Sequence, residues 1–158
     1  MMVAIPPHPE PAPFWAPWHH TTTRTTIQHV AGWTLRIDTD VFSGQPKCRL
    51  YRNNIEYQRQ ALVFRFPRDV DTSTAIYRID GGAPNWAQSD MVELVSLGFA
   101  LHYDDLTNSS GGYLRIPLRK IRLAHRIRVE VSTLHPPTTF DIGGVDQAVA
   151  TARGLGCT

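Results

Sequence analysis

The stretch from Thr139 to Cys157 constrains the fold more than any other part of the chain. Val145, Ala148, Val149, Ala152 and Leu155 recur at offsets of three, four, seven and ten, which puts them on one face of a helix. Asp141 or Gly143 can start that helix, and Gly154 and Gly156 can stop it, since glycine accepts the left-handed conformation that closes helices. Phe140 and Ile142 flank its start as anchors. Three turns of helix are marginal alone in water, so this helix must dock on something. Cys157 follows at once, and the only other cysteine is Cys48. A Cys48–Cys157 bridge would tie the docked helix to an early strand and close a loop of about 110 residues, which the chain-entropy model values at roughly 4–5 kcal/mol. Two buried free thiols are the other reading. A cysteine beside a chain end favours the bridge.

A chain of 158 residues fits one domain and buries enough surface to fold alone. With 42% hydrophobic and 19% charged residues, it is neither wholly disordered nor membrane-spanning, and no apolar run approaches the ~20 residues a membrane helix needs. Sixteen basic residues stand against 14 acidic ones, and a net charge of +2 is too weak to imply a nucleic-acid partner. Two cysteines decide no compartment. Met1 to Ile5 has no charged n-region and prolines interrupt at once, so the expectation is either an intracellular protein or a mature exported form with an added start methionine.

Residues 1–28 read as a proline-rich arm. Pro6, Pro7, Pro9, Pro11, Pro13 and Pro17 favour an extended polyproline-type conformation, with Phe14, Trp15 and Trp18 between them. Such an arm either folds back over an apolar patch of its own domain or presents a partner-binding segment. The threonine-rich run from Thr21 to Thr26 reads as a polar linker or a first edge strand.

Residues 29–158 read as one β-rich globular domain. Trp33, Leu35 and Ile37 alternate with Thr34, Arg36 and Asp38, the period of a half-buried strand. Residues 47–52, 61–66, 74–80, 99–103, 113–118, 121–123 and 126–131 read as further strands, separated by turn signals such as Asn53-Asn54 and Asp80-Gly81-Gly82. Residues 89–98 are a second helix candidate, with Met91, Leu94 and Val95 on one face. The expected class is mainly β, a β-sandwich or partly closed barrel, with a short internal helix and a C-terminal helix.

Five features bear on chemistry. His102, Asp104 and Asp105, with His125 and His135 downstream, hold the residue types of a metal site or of a base with its orienting acid, but their spacing matches no metal motif and the pair of aspartates suits a turn. Ser109, Ser110 and Ser132 lie in no nucleophile-elbow motif, so no catalytic residue is assigned. Arg115, Arg119, Lys120, Arg122, Arg126 and Arg128 make the one local charge excess; if their strands pair they form a stripe able to bind phosphate or acidic polymers, and otherwise they are solvated and paired with acids such as Glu130. Trp33 has the periodicity of a core residue. Asp80, Gly81, Gly82 and Trp86 make a candidate contact loop, because Trp86 follows Pro84-Asn85 in a turn.

Gly32-Trp33, Lys47-Cys48-Arg49-Leu50, Tyr77-Arg78-Ile79-Asp80-Gly81-Gly82, Arg115-Ile116-Pro117-Leu118 and the closing glycine-rich helix ending in Cys157 occur in an order that resembles small exported proteins of Gram-negative bacteria of the invasion-associated locus B type. The likeness spans residues 32–157 and is one of arrangement. It implies a secreted or periplasmic β-rich domain with a disulfide, no catalytic residues and no cofactor, and a role in envelope structure or interaction with an envelope protein or acidic polymer. The expected function is therefore a non-enzymatic exported interaction domain. The alternatives are a small hydrolase or metal-dependent enzyme using His102, Asp104 and Asp105, and a cytoplasmic anion-binding module using the arginine stripe.

Overall fold

A computed structural model of the chain describes residues 23–99, 112–131 and 135–157. The described residues form two antiparallel sheets that share one core, with short internal helices and a C-terminal helix. No barrel closes among them. The first sheet has six strands: β1 (Thr23–Val30), β2 (Trp33–Asp40), β3 (Pro46–Arg52), β4 (Ile55–Gln58), β5 (Ala61–Arg65) and β8 (Tyr113–Pro117), in that spatial order. The second has four, ordered β10 (Thr138–Asp141), β9 (Arg126–Glu130), β6 (Ile76–Ile79) and β7 (Pro84–Trp86). The helices are α1 (Met91–Ser96), entered through a 3-10 turn at Ala87–Asp90, α2 (Leu118–Ile121) and α3 (Val145–Gly154).

Alternation decides the faces. Trp33, Leu35, Leu50, Leu62, Phe64 and Ile116 are buried on one side of the six-stranded sheet, and Tyr77, Ile127 and Val129 face them from the four-stranded sheet. Phe140 of β10 meets Phe64 edge-on with ring centroids 4.9 Å apart. Helix α3 closes the core with Val145, Ala148, Val149 and Ala152, the predicted face. Leu155, expected on that face, is 45% exposed, because the helix ends at Gly154 before the face returns to the core.

The helix starts and stops for identifiable reasons. Neither Asp141 nor Gly143 is its cap: Gly144 is, with φ +82°. An ideal Cβ on Gly144 would lie 2.6 Å from Cβ of Ala31, so conformation and close packing both select glycine here. Asp141 instead accepts the Gly143 N–H through Oδ1 at 3.0 Å, shaping the turn that leads in. At the other end Gly156, with φ +90°, donates to Arg153 O, and Cys157 N–H donates to Ala152 O, a Schellman termination. It turns Cys157 back onto β3, where Cys48 and Cys157 form a disulfide with Cα atoms 5.8 Å apart.

Several expectations need correction. Leu118 and residues 121–123, read as strand, are not: Leu118–Ile121 is the helical turn α2, since Pro117 ends β8 and the chain leaves for the other sheet. Strands β4, β7 and β10 were not expected; each has only three or four residues, too few to establish a period. Of the two readings for the threonine run, the edge strand is correct from Thr23 onward, so pairing with β2 begins before His29. The proline-rich stretch with Phe14, Trp15 and Trp18, and most of the strand expected at 99–103, lie outside the described residues.

Candidate functional site

The five arginines of the expected stripe stand on three different surfaces, because β8 and β9 belong to different sheets and α2 lies between them. Arg115 is on the outer face of the six-stranded sheet, its guanidinium 5.5 Å from the ring centre of Phe99 and 5.8 Å from that of Tyr113. Arg119 and Arg122 border a groove of about 490 Å3 between α1, α2 and α3. Arg126 and Arg128 are exposed on β9, on the outer face of the four-stranded sheet.

The cations at α2 are matched by acids. Arg119 grips Glu93 with two donors, Nε lying 2.8 Å from Oε1, and this carboxylate raises the arginine pKa above its ordinary value. Arg122 approaches Asp146 at 3.3 Å. Lys120 donates to Asp90 Oδ1 at 2.8 Å and to the Tyr77 hydroxyl at 2.7 Å, while that hydroxyl donates to Asp90 Oδ2 at 2.5 Å. Asp90 and Tyr77 are buried. Burial first, and then the Asp90 carboxylate, push the Tyr77 phenol well above its ordinary value, so it stays a neutral donor. This triad pins the turn before α1 to β6 and α2.

The candidate contact loop splits into two parts. Asp80 has φ +49° and accepts the N–H groups of Arg126 (2.8 Å) and His125 (3.0 Å), which hold its carboxyl below the usual range. Its side chain thus serves the joint between β6 and β9. Gly81 and Gly82 form the tight turn after it, with Gly82 N–H donating to Ile79 O. Trp86 lies on β7 opposite Ile76 and is 55% exposed, as its position after Pro84-Asn85 suggested. Trp33 is fully buried, with Nε1 donating to Gly143 O at 3.2 Å.

Sequence reasoning missed the outer face of the six-stranded sheet. Alternation puts Arg36, Lys47, Arg49, Arg65 and Arg115 there, with Asp38, Asp40 and Glu56. Glu56 is 9% exposed and is held between two guanidiniums, Arg49 at 3.2 Å and Arg65 at 3.0 Å. Arg49 stacks on Tyr51 at 5.2 Å and Arg65 on Tyr113 at 5.8 Å. The other acids are engaged within the chain. Asp40 accepts the Phe42 N–H and the Ser43 hydroxyl, and Asp38 accepts the Thr25 hydroxyl and the Arg36 Nε–H at 3.3 Å, an ion pair within the face. These residues are scattered over five strands and 80 positions, so only the outward phase of each strand could have revealed them.

His102, Asp104, Asp105, Ser109, Ser110 and Ser132 lie outside the described residues. Among the described residues no three His, Cys, Asp or Glu side chains converge as metal ligands, and no helix is long and apolar enough to cross a membrane. No protein-family model, curated protein or solved structure matches this chain.

Proposed function

We propose that this protein is a non-catalytic interaction domain of the cell envelope or its exterior that binds an acidic polymer or partner through the outer face of its six-stranded sheet. One observation carries the reading. Among the described residues, that face bears five cations, three of them beside aromatic rings, against three carboxylates, of which Asp38 pairs with Arg36 and Glu56 with Arg49 and Arg65, so cations outnumber acids by two. Stacked guanidiniums are pre-organised, so less side-chain freedom is lost when an anion binds, and their planar forks suit sulfate, phosphate and carboxylate oxygens. The disulfide supports an oxidising compartment, where such bonds persist. Export and a role at the envelope follow the resemblance of the sequence motifs.

The test is retention on heparin resin. The protein is expected to bind in low salt and to elute with a strong dependence on ionic strength, as phosphate- and sulfate-directed binding does. An Arg36→Gln/Arg65→Gln variant should elute earlier than wild type. Passage of the wild-type protein through the resin in low salt would overturn the reading.

A further inference from the structure

Strands β3 and β4 pair only along residues 50–52 and 55–57. Strand β4 stops at Gln58, and Arg59 and Gln60, both with positive φ, turn the chain into β5. The first half of β3, residues 46–49, therefore pairs with β2 on one side and has no strand on the other among the described residues. A cleft of about 480 Å3 opens there, within the size range of small-ligand sites. Leu50 and Val149 form its apolar floor, and the Cys48–Cys157 bridge forms part of its wall.

The charge around this cleft is one-sided. Lys47, Arg49, Arg59 and Arg153 line it; among its described lining residues the one carboxylate is Glu56, which Arg49 and Arg65 already hold, and Asp38 faces Lys47 across the β2–β3 ladder. Arg59 donates to Gly98 O, a neutral acceptor. Lys47 and Arg153 make no ion pair among the described residues. In the neighbouring groove at α2, which Arg153 also lines, Arg119 and Arg122 each have a carboxylate. Like charges gathered around one concavity repel, and a multivalent anion relieves that repulsion while meeting several donors at once. Two walls of the cleft come from distant parts of the chain, Lys47 on β3 and Arg153 on α3, and the disulfide joins those two elements.

We propose that the cleft beside the disulfide is an oligoanion site, taking closely spaced phosphate or sulfate groups between Lys47, Arg49, Arg59 and Arg153. This deepens the proposed function and rests on it: Lys47 and Arg49 belong to the charged face, and Arg153 lines the cleft from α3, which packs on the other side of the sheet.

The experiment measures binding of two probes, inorganic tripolyphosphate and a sulfated heparin hexasaccharide, by calorimetry at low salt. Wild type, Lys47→Gln/Arg153→Gln and the control Arg68→Gln are compared. Neither residue of the double variant makes an ion pair among the described residues, so it should fold as wild type does. The expected result is at least tenfold weaker binding of one or both probes by the double variant, with no change in the control. A preference for tripolyphosphate assigns the site to phosphate groups, and one for the hexasaccharide assigns it to a sulfated glycan. Unchanged affinity in the double variant, or retention of wild type on heparin resin without binding of either probe, would overturn the cleft and leave the charged face standing. Wild-type protein that neither binds a probe nor is retained on the resin would overturn both.

Discussion

Two residues carry more of the architecture than their types suggest. Arg52 of β3 is 15% exposed in its side chain and donates to four carbonyls: Ala31 and Gly32 in the β1–β2 turn, Asp141 at the end of β10, and Gly143 before α3. It also stacks over Trp33 at 4.7 Å. A lysine has a single donor atom and cannot span this set. Arg52→Lys is therefore expected to cost about 2–4 kcal/mol by urea denaturation, through the loss of several charge-assisted hydrogen bonds; a loss below about 1 kcal/mol would show that the clamp is dispensable. Asp80 makes a pH-dependent contribution. Its folded pKa lies below the unfolded value of about 3.9, so the ionised carboxylate stabilises the fold above that pH, and this stabilisation disappears as pH falls through the folded value. Asp80→Asn should thus be less stable than wild type at neutral pH, with the gap narrowing in strong acid. A gap unchanged down to pH 2 would contradict the role. Asp80 was visible in the sequence as a turn residue before two glycines, whereas its partners, 45 and 46 positions away, were not.

At the scale of elements, α3 is the piece that depends most on the rest. Its ten residues cannot hold helical structure alone, so its stability comes from the buried face, the Gly144 entry and the disulfide. The bridge closes a loop with a sequence separation of 109. Cys48→Ser/Cys157→Ser is expected to lose about 3–5 kcal/mol, with α3 amides exchanging faster than those of β2. A loss under about 1 kcal/mol, with α3 exchange unchanged, would mean that packing alone seats the helix. The apolar face of α3 was readable because ten residues cover nearly three turns. Its start was not, because the choice of Gly144 over Gly143 depends on contact with Ala31, more than 100 residues earlier. Helix α2 was missed for a related reason: a four-residue turn is too short to show a period, and alternation in neighbouring strands masked it.

For the whole molecule, net charge misleads. A balance of +2 is spread unevenly: acids match the cations at α2, while the outer face of the six-stranded sheet and the β3–β4 cleft keep an excess. Binding driven by that excess should fall steeply with salt, which is why ionic strength is the variable in the functional test. The sequence by itself determined the mainly β class, the strands that begin at Trp33, Ala61 and Arg126, the burial of Trp33, the exposure of Trp86 and the face of the terminal helix. All of these follow from period, turn chemistry and residue type within a short window. The tertiary structure alone decided between a Cys48–Cys157 bridge and two buried thiols. It also separated Arg115, Arg119 and Arg128 onto different surfaces and gathered Lys47, Arg49, Arg59 and Arg153 around one cleft. Those outcomes depend on which strand neighbours which and where a ladder stops, and the energies that set them act between residues far apart in the chain.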